Sequence, residues 1–347
     1  MAVITYIGAG QMASALTFPA FENGHEIRLV GTPLDREIIE ECIHSDFHIN
    51  LKRKLHHGIR YYQVEEVQDS INGADVILCG VSSFGVEWFR EEILHRIPRG
   101  IPVLSVTKGM IEGENGTLVT YPDYWESSEG GKGLMIQAIG GPCTSYEMAD
   151  HDPTNVAFCG KDVGILRYLK SLYATDYYHV TLSDDVKGVE LAVALKNAYA
   201  LAVSLTIGCV ESREGKGVLH YNSQAAAFTQ AICEIQNLLR FFGGRDENIM
   251  YAAGDLYVTI FGGRTRRIGI LLGNGMPLEQ ALEELKGVTL ESLVISGRVA
   301  RTIRSLDVRG ELNAADFPLL MHVDEVISRG AEPELPWKLF EKEFFTE

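Results

Sequence analysis

A strand, a glycine-rich turn and a helix open this chain, and they constrain its fold more than any other feature. Residues 3–7 are predicted to form a buried strand, the turn GAGQMA (residues 8–13) follows directly, and helix-forming residues continue to about residue 23. A second strand is predicted over residues 25–30. This order is typical of the dinucleotide-binding unit, in which a pyrophosphate lies at the N-terminus of the helix.

Each position of the turn has a role in holding a dinucleotide. Gly8 permits the tight turn, Gly10 leaves the backbone open to the pyrophosphate, and Ala13 allows the helix to pack closely on the strand. Gln11 and Met12 begin the helix, whose free N–H groups and positive dipole end favour phosphates. We therefore predict that these five residues bind the cofactor.

The residues after the second strand bear on the choice between NAD and NADP. NAD-selective proteins usually carry an acidic residue at the end of this strand, whereas this chain has Thr32 there, followed by Asp35 and Arg36. Thr32 and Arg36 suit a 2′-phosphate, and Asp35 suits ribose hydroxyls. The prediction is NAD, with NADP as the alternative and Thr32 as a cofactor-binding residue.

Strand and helix patterns alternate up to about residue 183. Further strands are predicted over residues 74–81, 102–106, 134–139, 155–158 and 177–181. Parallel sheets bind ligands at the carboxyl ends of their strands. This rule places Ser82, Phe84 and Lys108 at the predicted site, although a solvated loop is the alternative for Lys108.

The pattern changes near residues 182–186, and helical signals dominate from there onward. We predict an α/β protein with an N-terminal Rossmann-type, mostly parallel sheet domain over residues 1–183 and an all-α C-terminal domain over residues 184–347. Residues 183–185 are predicted to cap the first helix of the second domain, and Asn222 to cap a later one.

Composition limits the classes of function. Hydrophobic residues make up 46% and charged residues 22% of the 347 residues, as in ordinary globular proteins. The net charge of −16 argues against non-specific binding to nucleic acid or anionic membranes. The 6 cysteines are dispersed without a CxxC pair, which favours free thiols in a reducing compartment. No signal sequence is recognised, so we expect a cytoplasmic protein without a membrane span.

The apolar segment 191–210 contains one charged residue, Lys196, with Asn197 beside it. Spacings of three and four place Lys196 on a helical stripe with four apolar residues: Val189, Val193, Ala200 and Val203. Desolvation on such a stripe favours the neutral amine. Because an amine near neutrality can exchange a proton with a substrate, Lys196 is a candidate general acid and base.

Three structural interpretations of Lys196 remain open. The side chain can extend to the surface with its stem packed on apolar neighbours, or it can form a structural salt bridge, for instance with Glu190. The segment can also be a membrane span, although Lys196 and Asn197 would then lie at its centre, where polar groups are costly.

Two polar groups in the second domain add to the predicted site. Asp255 lies in the apolar stretch AAGDL, and the segment GGRTRR (residues 262–267) places three arginines after two glycines. Glycine leaves backbone N–H groups accessible to an oxyanion, and arginine binds phosphate in a bidentate manner. A helix cap is the alternative for Asp255, and a basic surface loop is the alternative for the arginines.

Six segments, taken in order, resemble one enzyme family. They are GAGQMA, VTKGM, GGPCTSYE, DDVKGVELAVALKNAYALA, AAGDLYVT and GGRTRR. From residue 3 to about residue 330, the chain is similar to the NAD(P)-dependent sn-glycerol-3-phosphate dehydrogenases. The resemblance implies hydride transfer between a nicotinamide cofactor and the pair sn-glycerol 3-phosphate and dihydroxyacetone phosphate.

The resemblance also implies residue roles. Lys196 matches the lysine that acts as general acid and base, Asn197 and Asp255 complete the catalytic group, and Arg264 matches the arginine that binds the substrate phosphate. The predicted substrate-binding residues are Lys108, Arg264, Thr265 and Thr259. The predicted cofactor-binding residues outside the glycine turn are Thr32, Ser82, Phe84, Lys108 and Arg264. No metal site is predicted.

The chain departs from the family pattern at three places. Arg264-Thr265 stands where the family has Arg-Asn, and residues 211–216 (ESREGK) replace a stretch rich in small residues. The third is the turn at residues 141–144, which reads GPCT where the family has GPS or GPN. Two alternatives therefore stay open: a dehydrogenase of the same architecture that acts on another polyol phosphate or hydroxy acid, and an inactive dinucleotide-binding sensor or scaffold. A homodimer is the expected assembly, with no nucleic-acid partner.

Overall fold

The computed structural model describes residues 1–113 and 116–342. The chain divides into two compact units. The first comprises Met1–Gly109 and Thr120–Glu190, and the second comprises Met110–Val119 and Leu191–Glu347.

The strands are short, and most of them belong to one sheet in the first unit. In chain order they are β1 (Val3–Ile7), β2 (Glu26–Val30), β3 (Phe47–His48), β4 (Arg53–Lys54), β5 (Arg60–Tyr62), β6 (Val76–Cys79), β7 (Pro102–Ser105), β8 (Met110–Glu112), β9 (Leu118–Thr120), β10 (Met135–Gly140), β11 (Thr154–Cys159) and β12 (Tyr178–Ser183). The eight-stranded sheet has the order β12-β11-β10-β7-β6-β1-β2-β5. Its neighbouring strands are parallel except for the pair β10 and β11.

The predicted α/β class and the mostly parallel sheet are confirmed. Each of the seven predicted strands is present with ends within two residues of the prediction. The central strands are nearly continuous apolar runs because both faces of a parallel sheet are covered, and all four residues of β6 are buried. The edge strand β5 and the ribbon formed by β3 and β4 were not predicted, since they lack such runs.

Short helices connect the strands of the first unit. They are α1 (Gln11–Ala15), α2 (Thr17–Glu22), α3 (Arg36–Ser45), α4 (Val67–Ile71), α5 (Val86–Trp88), α6 (Tyr121–Ser127), α7 (Ser145–Ala149) and α8 (Val163–Tyr173). The first predicted helix is thus two helices that meet at Leu16. The apolar faces of these helices cover the sheet and form a core with its strands.

The second unit is mainly helical. Its helices are α9 (Val186–Glu214), which begins in the first unit, α10 (Tyr221–Phe241), α11 (Ile249–Ile260), α12 (Gly263–Gly273), α13 (Leu278–Glu284), α14 (Glu291–Val308) and α15 (Pro318–Arg329). The predicted cap of α9 is correct, because Gly188 N–H donates to Asp185 Oδ1 at 2.9 Å. The predicted cap at Asn222 is wrong, because α10 already begins at Tyr221 and His220 is its N-cap.

Helix α9 is the central element of the helical core. Its length and composition would suffice to cross a membrane, but 89% of its most apolar window is buried inside the structure. The apolar stripe residues Val189, Val193, Ala200 and Val203 are fully buried. The helix also continues through Glu211, Ser212 and Arg213 to Glu214, so most of the atypical segment 211–216 is helical rather than a loop.

Up to Val119, the ribbon of β8 and β9 belongs to the second unit, although the predicted boundary assigns it to the first domain. Arg298 Nη1 donates to Met110 O at 2.6 Å, and Arg301 forms an ion pair with Glu112 at 3.0 Å. Met110 and Leu118 are buried in the core of the second unit. In the part of the second unit that the structure describes, this ribbon is thus the one departure from helices and their connections.

Candidate active site

The glycine-rich turn is shaped by the close approach of β1 and β6. Gly8 has a φ of +108° and its N–H donates to Val30 O at 2.9 Å. A Cβ at Gly8 would lie 2.8 Å from the carbonyl carbon of Gly80, and a Cβ at Gly80 would overlap the Cβ of Ala13. Packing thus requires glycine at position 8 and a small residue at position 13.

Gly10 differs from Gly8, because the folded chain leaves room for a side chain there. A Cβ at Gly10 would meet only Gly80 O, at an ordinary distance of 3.5 Å. Gly10 is the N-cap of α1, and no side chain caps the first turn of this helix. A bare backbone at a helix N-terminus fits a pyrophosphate, so the residues present suit a dinucleotide. Gln11 is exposed and Met12 is half-buried at the same turn.

The loop after β2 is tied to this turn by Asp35. Asp35 Oδ2 accepts hydrogen bonds from Ala9 N (3.1 Å), Thr32 N (2.9 Å) and Thr32 Oγ1 (2.7 Å). Arg36 is exposed and forms an ion pair with Glu65. Thr32 and Asp35 therefore lie beside the glycine turn, while Arg36 is directed to another carboxylate.

His48, which no sequence pattern indicated, holds the other side of Ala9. His48 is fully buried, and its Nδ1 accepts the Leu51 N–H at 3.0 Å. Nε2 must then carry the proton, and it donates to Ala9 O at 2.8 Å. Burial lowers the pKa of His48, which favours this neutral form. A histidine in the polar stretch after α3 carries no sequence signal for this contact.

The loops after β6 and β7 present the next predicted residues. Ser82 and Phe84 follow β6 and are exposed, with 62% of Phe84 accessible. Thr107 Oγ1 donates to Val81 O at 2.7 Å and so joins the two loops. Lys108 is half-buried, and its Nζ donates to Gly141 O at 2.9 Å after β10. Lys108 is thus fixed at the carboxyl end of the parallel strands.

The structure brings Lys196 and Asp255 together from α9 and α11. The Lys196 side chain is 13% exposed, Asp255 is fully buried, and Lys196 Nζ forms an ion pair with Asp255 Oδ1. Thr259 lies one turn further along α11, where its Oγ1 donates to Asp255 O at 2.6 Å. Asn197 follows Lys196 on α9 and is half-buried. The suggested partner Glu190 is wrong: the salt bridge of Lys196 is made with Asp255.

The glycines and arginines of residues 262–267 form the N-cap and the first residues of α12. Gly262 is the N-cap of this helix, no side chain caps its first turn, and Gly263 has a φ of +83°. Arg264 is exposed in the first turn, whereas Thr265 is buried. Arg266 Nη1 donates to Ile260 O at 2.7 Å. An exposed guanidinium at an uncapped helix N-terminus is suited to bind an anion.

Within the described ranges 1–113 and 116–342, no group of three or more His, Cys, Asp or Glu side chains has the arrangement of a metal site. The candidate groups described above are a dinucleotide turn, a buried lysine–carboxylate pair and an arginine at a helix N-terminus. These elements suit hydride transfer coupled to proton transfer on an anionic substrate.

Comparison with known proteins supports this assignment. Residues 3–164 match the family model described as NAD-dependent glycerol-3-phosphate dehydrogenase N-terminus, and residues 185–337 match the corresponding C-terminus model. The NADP(+)-dependent glycerol-3-phosphate dehydrogenase of Archaeoglobus fulgidus is 33% identical over 82% of this chain and 84% of its own length. Glycerol-3-phosphate dehydrogenase [NAD(P)+] of Shouchella clausii is 27% identical over 96% of this chain and 94% of its own.

Solved structures show the same fold. Glycerol-3-phosphate dehydrogenase from Coxiella burnetii has a TM-score of 0.80 at 22% identity and covers 98% of this chain and 97% of its own. The enzyme from Plasmodium falciparum has a TM-score of 0.83 at 20% identity, with 100% and 97% coverage. With both halves matched and a relative at 33% identity, the chain belongs to the NAD-dependent glycerol-3-phosphate dehydrogenase family.

Proposed function

We propose that this protein interconverts sn-glycerol 3-phosphate and dihydroxyacetone phosphate with NAD or NADP as the hydride carrier. The observation that carries the proposal is the buried ion pair of Lys196 and Asp255 in a chain that belongs to this family. A lysine held by a carboxylate in an apolar core can give and take a proton without bulk water.

The dinucleotide binds mainly to the N-terminal domain, for which we propose the boundaries 1–183 without the ribbon of residues 110–119. The substrate binds mainly to residues 184–347, and Lys108 and Arg264 contribute to both sites. Gly8, Gly10, Gln11, Met12 and Ala13 hold the pyrophosphate. The cofactor-binding set is completed by Thr32, Ser82, Phe84, Lys108 and Arg264. When bound, the nicotinamide ring supplies or accepts the hydride.

Asp35 bears on the choice of cofactor. The three hydrogen bonds that Asp35 accepts from Ala9 and Thr32 all go to Oδ2. We propose that the other oxygen, Oδ1, accepts a hydrogen bond from a ribose hydroxyl. Arg36, which would favour a 2′-phosphate, is paired with Glu65. These contacts favour NAD, with NADP as the alternative cofactor.

The substrate phosphate binds to Arg264 and the N-terminus of α12, because a dianion gains from both the guanidinium and the helix dipole. Asn197, Thr259 and Lys108 hold the hydroxyl and carbonyl oxygens, and Thr265 supports the phosphate site. As the carbonyl is reduced, negative charge grows on its oxygen, and Lys196 donates a proton to it. In the reverse direction, the neutral amine of Lys196 accepts the hydroxyl proton.

The test is a spectrophotometric assay of dihydroxyacetone phosphate reduction with NADH and with NADPH. We expect loss of the nicotinamide absorbance with at least one cofactor and formation of glycerol 3-phosphate. Tight NADH binding without any turnover would instead favour the sensor or scaffold alternative.

The buried Thr265 favours a second candidate, because the family pattern has an asparagine at this position. The candidate is a dehydrogenase of another polyol phosphate or of a hydroxy acid. A panel of such substrates, compared by kcat/KM with dihydroxyacetone phosphate, distinguishes it from the main proposal.

We further propose that the protein is a cytoplasmic homodimer. Closed two-fold dimers are the commonest soluble oligomers, and the only apolar helix of spanning length among the described residues is buried. Light scattering after size-exclusion chromatography tests the dimer, and a mass of one chain would contradict it.

A further inference from the structure

Glu190 is a fully buried carboxyl group that the proposed chemistry does not use. It lies on α9 with no exposed surface, and among the described residues neither of its oxygens has a hydrogen-bond partner. A buried polar group without a partner is costly, and an ionised one is costlier still. Because this burial costs folding free energy, we expect a functional role for the Glu190 carboxyl group.

Two charged residues of the first unit act on the carboxyl group of Glu190. The strongest favourable electrostatic interaction of its carboxylate is with Lys108, and Asp123 opposes its ionisation. The thiol of Cys159, at the end of β11, is also within electrostatic reach. Lys108 Nζ meanwhile donates to Gly141 O at 2.9 Å. The ammonium group of Lys108 therefore donates a hydrogen bond to Gly141 O and also interacts electrostatically with the buried carboxyl group of Glu190.

The balance favours an uncharged Glu190 at neutral pH. Burial raises the pKa of this carboxyl to about 8, and Lys108 reduces the shift only in part. By contrast, Glu234, a buried glutamate on α10, accepts four hydrogen bonds. Both glutamates are buried, but only Glu190 has no hydrogen-bond partner among the described residues. Glu234 is therefore a suitable control for Glu190.

We propose that Glu190 is a positioning residue that acts through Lys108. When Glu190 is a neutral acid, the Lys108 ammonium group keeps its hydrogen bond to Gly141 O and can contact the substrate. As a carboxylate, Glu190 attracts the ammonium group and weakens its contact with the substrate oxygen. The predicted effect of Glu190 on KM rests on the proposed function, whereas the predicted electrostatic coupling of Glu190 to Lys108 does not.

The first test needs no turnover. Infrared titration of protein with ¹³C-labelled glutamate follows the C=O stretch of protonated carboxylic acids. Near pH 8, Glu234 with its pKa of about 7 is mostly ionised, whereas Glu190 with its pKa of about 8 is still about half protonated. At this pH we expect the band in the wild type and in Glu234→Gln, and its absence in Glu190→Gln. In Lys108→Met, the band of Glu190 should disappear only at higher pH, because the ammonium charge is gone. A fully ionised Glu190 at pH 7, or no change in Lys108→Met, would overturn the proposal.

The second test is kinetic. We expect the KM for dihydroxyacetone phosphate to rise about tenfold in the wild type as Glu190 ionises, with a smaller change in kcat, because a charge-assisted contact is weakened. The rise should remain in Glu234→Gln and disappear in Glu190→Gln. Substrate ionisation is the same in every assay, so the difference between variants reports on Glu190.

The outcomes separate the two proposals. If Glu190→Gln does not fold, Glu190→Met takes its place. The infrared titrations of the wild type and Lys108→Met test the coupling even if neither Glu190 variant folds. Identical pH profiles of KM in the wild type and Glu190→Gln would show that Glu190 does not position Lys108. No turnover at any pH would contradict the proposed function instead, while the infrared titrations would still decide the coupling of Glu190 to Lys108.

Discussion

Lys196 and Asp255 form a pair in which each residue needs the other. The lysine keeps 13% of its side-chain surface exposed, which suffices for contact with a ligand, while the carboxylate has none. Removing the lysine side chain entirely would leave a buried charge without its partner, which destabilises proteins strongly. A variant that tests chemistry must therefore keep a hydrogen-bond donor next to Asp255.

Lys196→Gln meets this condition. The amide can still donate to Asp255 but cannot transfer a proton, so we expect kcat to fall by about 100- to 10,000-fold. The measurement is steady-state kinetics, with circular dichroism to verify the fold. Lys187→Gln, on the exposed side of the same helix, is the matched control and should keep its activity. A folded Lys196→Gln with near-normal kcat would exclude Lys196 as the general acid.

Arg264 is the residue whose loss should depend on the substrate used. Arg264→Ala removes a charge-assisted contact to phosphate, so we expect the KM for dihydroxyacetone phosphate to rise about 10- to 100-fold. The KM for unphosphorylated dihydroxyacetone should change little, because it lacks the anion. Arg267→Ala removes an exposed arginine one turn later and serves as the control. Equal effects of Arg264→Ala on both substrates would contradict the phosphate assignment.

At the scale of elements, Glu234 joins three helices. Its carboxylate accepts hydrogen bonds from Gln230 Nε2 (2.7 Å) on α10, Tyr199 OH (3.0 Å) on α9, and the N–H groups of Leu319 (2.7 Å) and Leu320 (3.1 Å) in the first turn of α15. These bonds satisfy N–H groups that a helix start leaves without partners. Burial nevertheless raises the pKa of Glu234 to about 7.

This shift predicts a pH-dependent stability. Between about pH 4.5 and 7 the folded state holds a proton that the unfolded state has released, so stability from this group is lost as the pH rises. Compared with Glu234→Gln, the wild type should lose about 3 kcal/mol of unfolding free energy over this range. Urea unfolding at several pH values measures the difference, and Glu279→Gln, on the exposed surface, is the control. Parallel curves for the wild type and Glu234→Gln would contradict the prediction.

The sequence predicts the elements that depend on local patterns. The apolar runs of β1 and β6 and the cap at Asp185 follow from neighbouring residues, so they were predicted correctly. The edge strand β5, with the sequence RYY, is held by its pairing with β2 and has no apolar run to reveal it. Similarly, the start of α10 at Tyr221 depends on tertiary packing that overrides the capping preference of Asn222.

The candidate site divides in the same way. The glycine turn is local, and its spacing alone predicts its geometry. The partner of Lys196 lies 59 residues away, so local spacing suggested Glu190, whereas the family resemblance grouped Lys196 with Asp255, its partner in the folded chain. His48 holds Ala9 across 39 residues and carries no local pattern. Polar contacts between distant segments are decided by the fold, which a single sequence does not reveal.

At the scale of the whole molecule, the chain passes between its two compact units three times, after Gly109, after Val119 and after Glu190. A cut at residue 183 follows the predicted domain boundary, but it separates residues that belong to the same compact unit. The ribbon of β8 and β9 stays with the first fragment, while α14, which binds it through Arg298 and Arg301, is removed.

Two fragments test this arrangement. Fragment 1–183 should aggregate, because Met110 and Leu118, which are 1% and 4% exposed in the full chain, lose their core. Fragment 1–190 with residues 110–119 replaced by a short Gly-Ser linker should remain monodisperse and bind NADH, since it keeps the whole first unit without the ribbon. NADH fluorescence and light scattering measure both properties. Equal behaviour of the fragments would mean that the ribbon contributes nothing to the second unit, and the contact-based boundary would then be wrong.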